Sequence, residues 1–388
     1  MSELKVNSIK GVGASTAAIT VNNSDGTCTA NITNNLSNRN KVINGAMQIA
    51  QRGTSDSSSS GGFTCDRFGV YPSGTDEAPT QAQVDVASGT TPYTLGFRKA
   101  LKITNGNQTS GAGAADNLRI LYKIEAQDIA NSGWNYTSSS SNITLSFWVK
   151  SSVAQNFYVQ FRTKDGTEQN YTFETGSLSA DTWTKVTKTI SGNSNLTFNN
   201  DNGVGTEINF WQFLGTDSTG SMTLNQWAAY SGSTRTPDQT STWYTTNDAT
   251  FEITGVQLEV GSNSTDYEFR SYAQELALCQ RYYYRHAEGA VDRMVGSGCI
   301  YNTSINIGYI QFPCQMRATP SMDAPSGTNY YKVISNNSTQ YQPNCTIEDT
   351  NINCSGFRFS GGTSTTTGHG AYFRLGDASA YVAFNAEL

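Results

Sequence analysis

The sequence predicts a mainly β fold with an N-terminal arm, an antiparallel β-sandwich, one short helix and a C-terminal β domain. Only 14% of the 388 residues are charged, whereas the chain contains 20 tyrosines and 36 glycines. Long helices favour Ala, Leu, Glu and Lys, while strands favour Thr, Tyr, Val and Phe. Short runs of period-two alternation are frequent, and one stretch shows helical periodicity.

Residues 1–40 are predicted to form the arm. They are rich in Gly, Ser, Thr and Asn, with short apolar pieces at residues 4–6 and 18–21. A segment of this composition cannot bury a core of its own. We therefore expect it to anchor the protein by packing on neighbours.

Residues 41–265 are predicted to form the sandwich. In residues 143–150 the apolar side chains alternate with polar ones, as expected for a half-buried strand. Asp165-Gly166 lies between two such runs and favours a hairpin. Many short strands at close spacing favour a sandwich or jelly roll over a parallel α/β sheet.

The run at residues 251–260 changes its alternation phase in the middle. Phe251 and Ile253 share one phase, and Val256 and Leu258 share the opposite one. Gly255 lies at the change, and glycine tolerates the backbone of a β-bulge. We predict a bulge there that keeps both apolar sets facing the core.

Residues 266–388 are predicted to be a connecting helix and a C-terminal β domain for trimerisation or the tip. Residues 271–284 predict the helix, and Ser271 with Gln274 fits a capping box. The chain ends in apolar residues, which predicts a buried final strand. The helix is expected to pack on the sandwich or on its copies in an oligomer. The candidates for a subunit interface are Tyr272, Leu276, Cys279, Tyr283, Phe384 and Leu388.

Composition and charge exclude several classes of function. The net charge is −6, and no basic run is present for a phosphate backbone, so no nucleic-acid partner is expected. No apolar stretch approaches the roughly 20 residues that span a bilayer, and the N-terminus lacks the apolar region of a secretory signal. The seven cysteines lack C-x-x-C spacing, which favours free thiols. The sequence still allows Cys299 to pair with Cys314, or Cys345 with Cys354.

No catalytic motif stands out. The chain has two histidines, His286 and His369, and no G-x-S-x-G elbow. Phosphate-binding loops, dinucleotide fingerprints and EF-hand loops are absent from the sequence. We expect no cofactor, although a structural Ca²⁺ held by carbonyls and Asp residues stays open. Glu259 alternates with Leu258, which predicts a position on the strand surface.

Aromatic side chains outside the alternating pattern are candidates for carbohydrate binding. Sugars place their C–H faces on aromatic rings, and polar side chains bind the hydroxyl groups. Residues 216–247 combine such rings with Gly, Ser, Thr and Asp, and we expect an exposed loop there, or else rings that cap the sandwich end. Trp148 lies on the polar face of its strand and is a further candidate. The candidates are therefore Trp227, Tyr230, Arg235, Trp243, Tyr244 and Trp148.

The start of the chain, LKVNSI at residues 4–9, resembles the N-termini of cyanophage fibres. Several further motifs, taken in order, resemble tail-fibre or appendage proteins of tailed phages with a jelly roll similar to carbohydrate-binding modules. They are VINGAMQIAQRG at 42–53, FTCDRF at 63–68, GVQLEVG at 255–261, the helix at 271–284 and FPCQMRATP at 312–320. In residues 63–68, Asp66 and Arg67 are expected to form either a fixed ion pair at the sandwich end or an ordinary solvated pair that contributes little.

The resemblance implies a virion protein made in the host cytoplasm. It implies a homotrimer whose arm, residues 1–40, binds a tail adaptor or nozzle protein. The protein would bind host-surface polysaccharide without enzymatic activity. Two alternatives remain: a structural nozzle, adaptor or decoration protein without a glycan site, and a polysaccharide depolymerase with two catalytic carboxylates.

Overall fold

The structure is a computed structural model that describes residues 6–13, 15, 17–21, 24, 28–30, 38–56, 61–363 and 366–388. Among the described residues, strands make up 42% and helices 6%, which confirms the mainly β fold class. Near the N-terminus, β1 (Ser8–Ile9), β2 (Ile19–Val21) and β3 (Cys28–Ala30) form an antiparallel sheet. The side chains of Ile9 and Val12 are exposed there. The anchoring role of the arm stays a prediction.

Within the described residues, two six-stranded antiparallel sheets follow. Sheet I has the strand order β12-β9-β15-β7-β6-β4, and sheet II has the order β14-β11-β10-β13-β8-β5. The strands of sheet I are β4 (Ser55–Asp56), β6 (Thr80–Asp85), β7 (Lys99–Thr104), β9 (Asn142–Ser151), β12 (Thr184–Ser191) and β15 (Thr250–Val260). Those of sheet II are β5 (Phe68–Ser73), β8 (Asn117–Glu125), β10 (Tyr158–Thr163), β11 (Gln169–Glu174), β13 (Val204–Leu214) and β14 (Trp227–Ala229).

The two sheets pack face to face around one apolar core. In β9, Leu145, Phe147 and Val149 are fully buried, as their alternation predicts. The ring of Phe147 meets that of Phe210 from sheet II, with centroids 5.1 Å apart. The predicted hairpin at Asp165-Gly166 is confirmed, since β10 and β11 pair antiparallel on either side of it.

The predicted bulge in β15 is confirmed. The pairing of β15 with β9 shifts register between Thr254 and Gln257. Gly255 lies in the shift with φ of +64°, a conformation that glycine adopts without steric cost. Phe251, Ile253, Val256 and Leu258 are therefore all buried in the core.

Short helices lie at the ends of these strands, and a longer one leads to the C-terminal part. They are α1 (Thr91–Thr94), α2 (Ala126–Ala130), α3 (Thr242–Thr245) and α4 (Tyr272–Gln280). The capping box of Ser271 and Gln274 is present in α4. The helix ends earlier than predicted because Tyr283 pairs with Asn385 in a sheet. No helix among the described residues is long and apolar enough to cross a membrane.

The C-terminal part has its own core between two further antiparallel sheets. One has the order β16-β25-β19, and the other has the order β21-β20-β24-β17-β18-β23-β22. The strands are β16 (Tyr283–Glu288), β17 (Met294–Asn302), β18 (Ile305–Gln311), β19 (Ser321–Asp323), β20 (Tyr331–Ser335), β21 (Ser338–Gln342), β22 (Asn344–Thr350), β23 (Cys354–Ser360), β24 (Gly370–Leu375) and β25 (Tyr381–Asn385). Buried rings of Phe357, Phe359 and Phe373 fill this core.

Most of the side chains assigned to a subunit interface pack inside the chain instead. Cys279, Tyr283 and Phe384 are completely buried, so the assignment is wrong for these three. Leu276 and Leu388 are partly buried against a small cluster that includes Cys279. Tyr272 is 61% exposed and stays a candidate for an interface. The predicted burial of the final strand is correct, but β25 is covered by β16 and β19 of the same chain.

A buried ion pair joins the sandwich to the chain end. The guanidinium of Arg67, which precedes β5, pairs with the carboxylate of Glu387. It also donates to the carbonyl of Lys123 at 2.7 Å and lies 3.4 Å from the ring centroid of Tyr282. The expected pair of Asp66 with Arg67 is wrong, since Asp66 accepts instead from Gln51. Burial raises the pKa of Asp66 to about 6.

A second buried carboxylate lies beside this pair. Glu125, at the end of β8, accepts hydrogen bonds of 2.8 Å from Nε and Nη2 of Arg281. It also accepts from the hydroxyl of Tyr282 at 2.5 Å. Burial opposes ionisation, but the hydrogen bonds from Arg281 and Tyr282 outweigh it and hold the pKa of Glu125 below its usual range. The sandwich thus contacts the segment after α4 through the hydrogen-bonded ion pair of Glu125 with Arg281.

Gly255→Ala tests the bulge. The new Cβ would lie 2.7 Å from Cζ of Phe97, at a φ that other residues rarely adopt. We expect the free energy of unfolding in urea to fall by more than about 2 kcal/mol. Gly133→Ala is the control, because φ is +85° there and no atom lies within 4 Å. An equal loss in both variants would contradict the close ring contact.

Glu387→Ala tests the joining ion pair. Arg67 would keep a buried charge without a counter-charge, so we expect a loss of about 3–5 kcal/mol in the free energy of unfolding. Asp85→Asn is the matched control, because the side chain of Asp85 is 83% exposed in its pair with Lys99. That variant is expected to lose less than about 1 kcal/mol. Similar small losses in both variants would show that the Arg67 pair does not hold the two parts together.

Candidate functional site

The six residues assigned to carbohydrate binding do not form one site. Trp243 and Tyr244 lie on α3 and are completely buried, so their assignment to an exposed loop is wrong. The indole N–H of Trp243 donates to the carbonyl of Thr250 at 3.0 Å, and the ring of Tyr244 stacks on Phe213 at 4.4 Å. These rings cap the sandwich end, which was the alternative interpretation.

Trp227 lies at the edge of sheet II and is half-buried. Its ring meets those of Phe161 and Tyr171, with centroids 5.9 and 5.4 Å away. Its indole N–H donates to the carbonyl of Ser191 at 2.7 Å. These contacts assign it to packing at the sandwich edge.

Trp148 lies in an open cleft on the outer face of sheet I, here called the Trp148 cleft. The cleft has a volume of about 380 Å³. Trp148 is on β9, and Lys185 stands opposite it on β12. The main side chains that line the cleft are Leu95, Phe97, Trp148, Lys185, Asp266, Tyr267 and Phe269.

Three rings form one wall of the Trp148 cleft. The ring centroids of Phe97, Tyr267 and Phe269 lie 4.8–5.1 Å from one another. Phe97 is buried, whereas Phe269 is 45% exposed. The mutual contacts fix the exposed ring on a buried support. Gly255 makes this possible, because a side chain there would collide with Phe97 and with Trp148.

Glu259 holds the segment that supplies two of these rings. The predicted surface position of Glu259 is wrong, since it is 1% exposed. Its carboxylate accepts from the backbone N–H and the hydroxyl of Thr265 at 2.8 and 2.7 Å. These hydrogen bonds hold residues 261–269 against the outer face of sheet I. Tyr267 and Phe269 reach the cleft because of this turn.

The polar groups of the Trp148 cleft are few. Lys185 and Asp266 are exposed and carry opposite charges. Among the described residues that line the cleft, Asp266 is the only acid. The cleft therefore combines an apolar ring wall with one ammonium group and one carboxylate. Across all the described residues, no group of three or more His, Cys, Asp or Glu side chains could hold a metal ion.

Tyr230 and Arg235 lie on the other side of the sandwich. The segment that contains them crosses the outer face of sheet II, where the carbonyl of Arg235 accepts from the hydroxyl of Thr172 at 2.9 Å. The guanidinium of Arg162 lies 3.5 Å from the ring centroid of Tyr230. The sequence prediction thus mixed residues of two opposite faces.

Sequence reasoning did not find Phe97, Tyr267, Phe269 and Lys185. Phe269 and Tyr267 alternate outside any strand, and Phe97 follows a four-residue helix. Only the bulge at Gly255 gave a signal, because a glycine in a strand indicates that other groups approach closely. The missing information was which distant segments return to the face that carries Trp148.

Trp243→Ala tests the corrected role of Trp243. Because the whole ring is buried, we expect a loss of about 3–5 kcal/mol in the free energy of unfolding. Tyr372→Ala is the control, since Tyr372 is 56% exposed and should change the free energy by less than about 1 kcal/mol. A Trp243→Ala protein of unchanged stability would mean that the ring is not part of the core.

No protein-family model matches the sequence, and no curated protein matches it significantly. Solved structures are similar to parts of it. One is the enzymatically active domain of bacteriophage CBA120 tailspike protein 4, with 12% identity and a TM-score of 0.30 over 57% of this chain. The chain covers 21% of that tailspike chain.

Two others are sugar-binding domains. The family 11 carbohydrate-binding module of Clostridium thermocellum, in complex with a β-1,3-1,4-mixed-linked tetrasaccharide, is 11% identical with a TM-score of 0.25, covering 51% of this chain and 91% of that chain. The N-terminal cellulose-binding domain of Cellulomonas fimi β-1,4-glucanase C is 12% identical with a TM-score of 0.27, covering 55% and 97%. The strand order and register of this chain define the sandwich.

Proposed function

We propose that this protein binds a glycan in the Trp148 cleft without cleaving it. The observation that carries the proposal is the wall of aromatic rings beside Lys185 and Asp266 in an open cleft. The exposed Phe269 and the half-buried Trp148 offer ring surface to a ligand. Aromatic rings with a few polar groups match the C–H faces and the hydroxyl groups of a pyranose.

The size and the charge of the cleft agree with this chemistry. A volume of about 380 Å³ lies in the range of small-molecule sites and accommodates one or two sugar units. Lys185 donates to hydroxyl oxygens, whereas Asp266 accepts from hydroxyl groups. Since the two charges are opposite, the cleft favours a neutral sugar.

The number of carboxylates in the Trp148 cleft supports binding rather than hydrolysis. Glycoside hydrolysis requires two carboxyl groups about 5–10 Å apart on either side of the bond that breaks. Asp266 is the only acid among the described lining residues. The Trp148 cleft therefore has the groups for holding a sugar but lacks the pair for cleaving one.

The proposal extends to a place in a virion. The ordered motifs between residues 42 and 320 resemble phage tail fibres, and we assign the chain to that role. Residues 1–40 would bind a tail adaptor or nozzle protein, and three copies would form the fibre that is assembled in the host cytoplasm. Weak binding of host-surface polysaccharide at each cleft would become strong through several copies.

Trp148→Ala and Phe269→Ala test the proposal. Binding of the full chain to an array of purified bacterial surface polysaccharides is measured, together with oligomeric mass, unfolding and released sugar. We expect each variant to lower the affinity for the bound glycan at least about tenfold, because each removes a stacking ring. Tyr301→Ala is the control, since Tyr301 is 61% exposed and lies outside the cleft.

Three results would contradict the proposal. A well-folded chain that binds neither the array nor host cells would favour a structural virion protein. Release of sugar fragments would favour a depolymerase. Glycan binding that survives both substitutions would assign the glycan to another surface.

A further inference from the structure

The outer face of sheet II collects positive charge in a chain whose net charge is −6. Arg119 on β8 and Arg162 on β10 lie on either side of β13, and Arg235 crosses above β10 and β11. The name Arg119 face is used here for Arg119, Arg162, Trp211, Tyr230 and Arg235.

Arg162 differs from Arg119 and Arg235 in its partners. Arg162 pairs with Glu168, through its Nε at 2.9 Å, and with Glu207 at 3.6 Å. Within the described part of the chain, neither Arg119 nor Arg235 has a carboxylate within ion-pair distance. Two cationic groups on this face are therefore without a contacting counter-charge.

Three side-chain donors of the Arg119 face are buried and unpartnered. They are Nε of Arg119, Nε of Arg235 and the indole N–H of Trp211, and none has a hydrogen-bond partner among the described residues. Trp211 is only 1% exposed. A buried donor without a partner costs about 1–3 kcal/mol, so folded proteins rarely leave several together. Such a group of donors is what an acceptor-rich ligand would satisfy.

The rings on this face hold Arg119 in place. Its guanidinium carbon lies 5.0 Å from the centroid of Trp211 and 5.7 Å from that of Tyr71. Burial lowers the pKa of Arg119, and the charge of Arg235 lowers it further. Glu207, Tyr71 and Tyr230 act in the opposite direction and raise it. The charge of Arg119 is thus oriented by rings and repelled by Arg235. An anion between the guanidinium groups of Arg119 and Arg235 would reduce their repulsion and offset the cost of burying the charge of Arg119.

The rest of the face offers groups for hydroxyls. The amide oxygen of Asn209 and both side-chain polar atoms of Gln212 are buried without partners among the described residues. Both residues lie on β13, beside Trp211. Guanidinium groups bind carboxylates through two parallel hydrogen bonds, and amide groups bind hydroxyls. An acidic group attached to a polyhydroxylated ring matches both parts of this set.

From this geometry we infer that the Arg119 face is a second binding site, which takes a carboxylate-bearing sugar such as a uronic acid. It lies on the opposite side of the sandwich from the Trp148 cleft. The inference therefore does not depend on glycan binding in that cleft.

The test uses the full chain and trigalacturonate as the probe, with titration calorimetry at low salt. We expect saturable binding to trigalacturonate that weakens as salt is added. Arg119→Gln and Arg235→Gln should each lower its affinity at least tenfold. The affinity for maltotriose, which lacks the carboxylate, should be the same in both variants as in the unchanged chain. Arg358→Gln is the control, because Arg358 lies on β23, away from this face.

Four results would overturn the inference. The first is that the folded chain does not bind trigalacturonate, and the second is that it binds maltotriose at this face with equal affinity. The third is that inorganic phosphate binds as tightly as trigalacturonate. The fourth is that Trp148→Ala, rather than the arginine variants, loses affinity for trigalacturonate. The last result would place the acidic sugar in the Trp148 cleft. Binding of neutral glycans there can fail without changing the outcome at the Arg119 face.

Discussion

The buried guanidinium of Arg67 is the constraint on which the arrangement of the two β parts depends. A charge removed from water needs a counter-charge and hydrogen-bond acceptors in contact with it. Arg67 obtains them from Glu387, which is 320 residues away in sequence, and from the carbonyl of Lys123. The ring of Tyr282 covers its plane. The start of β5, the segment after α4 and the residues after β25 must therefore meet at one point, and this fixes the C-terminal part against the sandwich.

Local pattern predicts those parts of the fold that local forces determine. The alternation in β9, the bulge at Gly255 and the capping box at Ser271 depend on neighbours a few residues away, and all three predictions are correct. The predicted end of α4 was wrong. Tyr283 continues the apolar stripe of the helix, but it pairs with Asn385 of β25, 102 residues further on. The Asp66–Arg67 pair was wrong for the same reason. Adjacent charges were each bound by distant groups, and sequence spacing does not report such pairing.

The candidate site was less predictable than the fold. Trp148 lies on the polar face of its strand and Trp243 lies in a polar stretch, yet the first borders a cleft and the second is completely buried. The difference comes from the direction in which α3 turns its rings, which a four-residue helix does not encode in its periodicity. Phe269 reaches the cleft because the buried carboxylate of Glu259 binds Thr265. A strand position that alternation assigns to the surface is here covered by the returning chain, so the same hydrogen bonds bury Glu259 and build the cleft.

The two outer faces of the sandwich differ in what they can hold. The Trp148 cleft combines rings with one positive and one negative group, whereas the Arg119 face has guanidinium groups that exceed its carboxylates. The sheets between them pack about 10 Å apart, and the side chains add to that distance. One short oligosaccharide cannot lie on both faces. If both are occupied, they hold separate chains or separate branches of a polymer, and a neutral backbone with acidic branches would engage both through one domain.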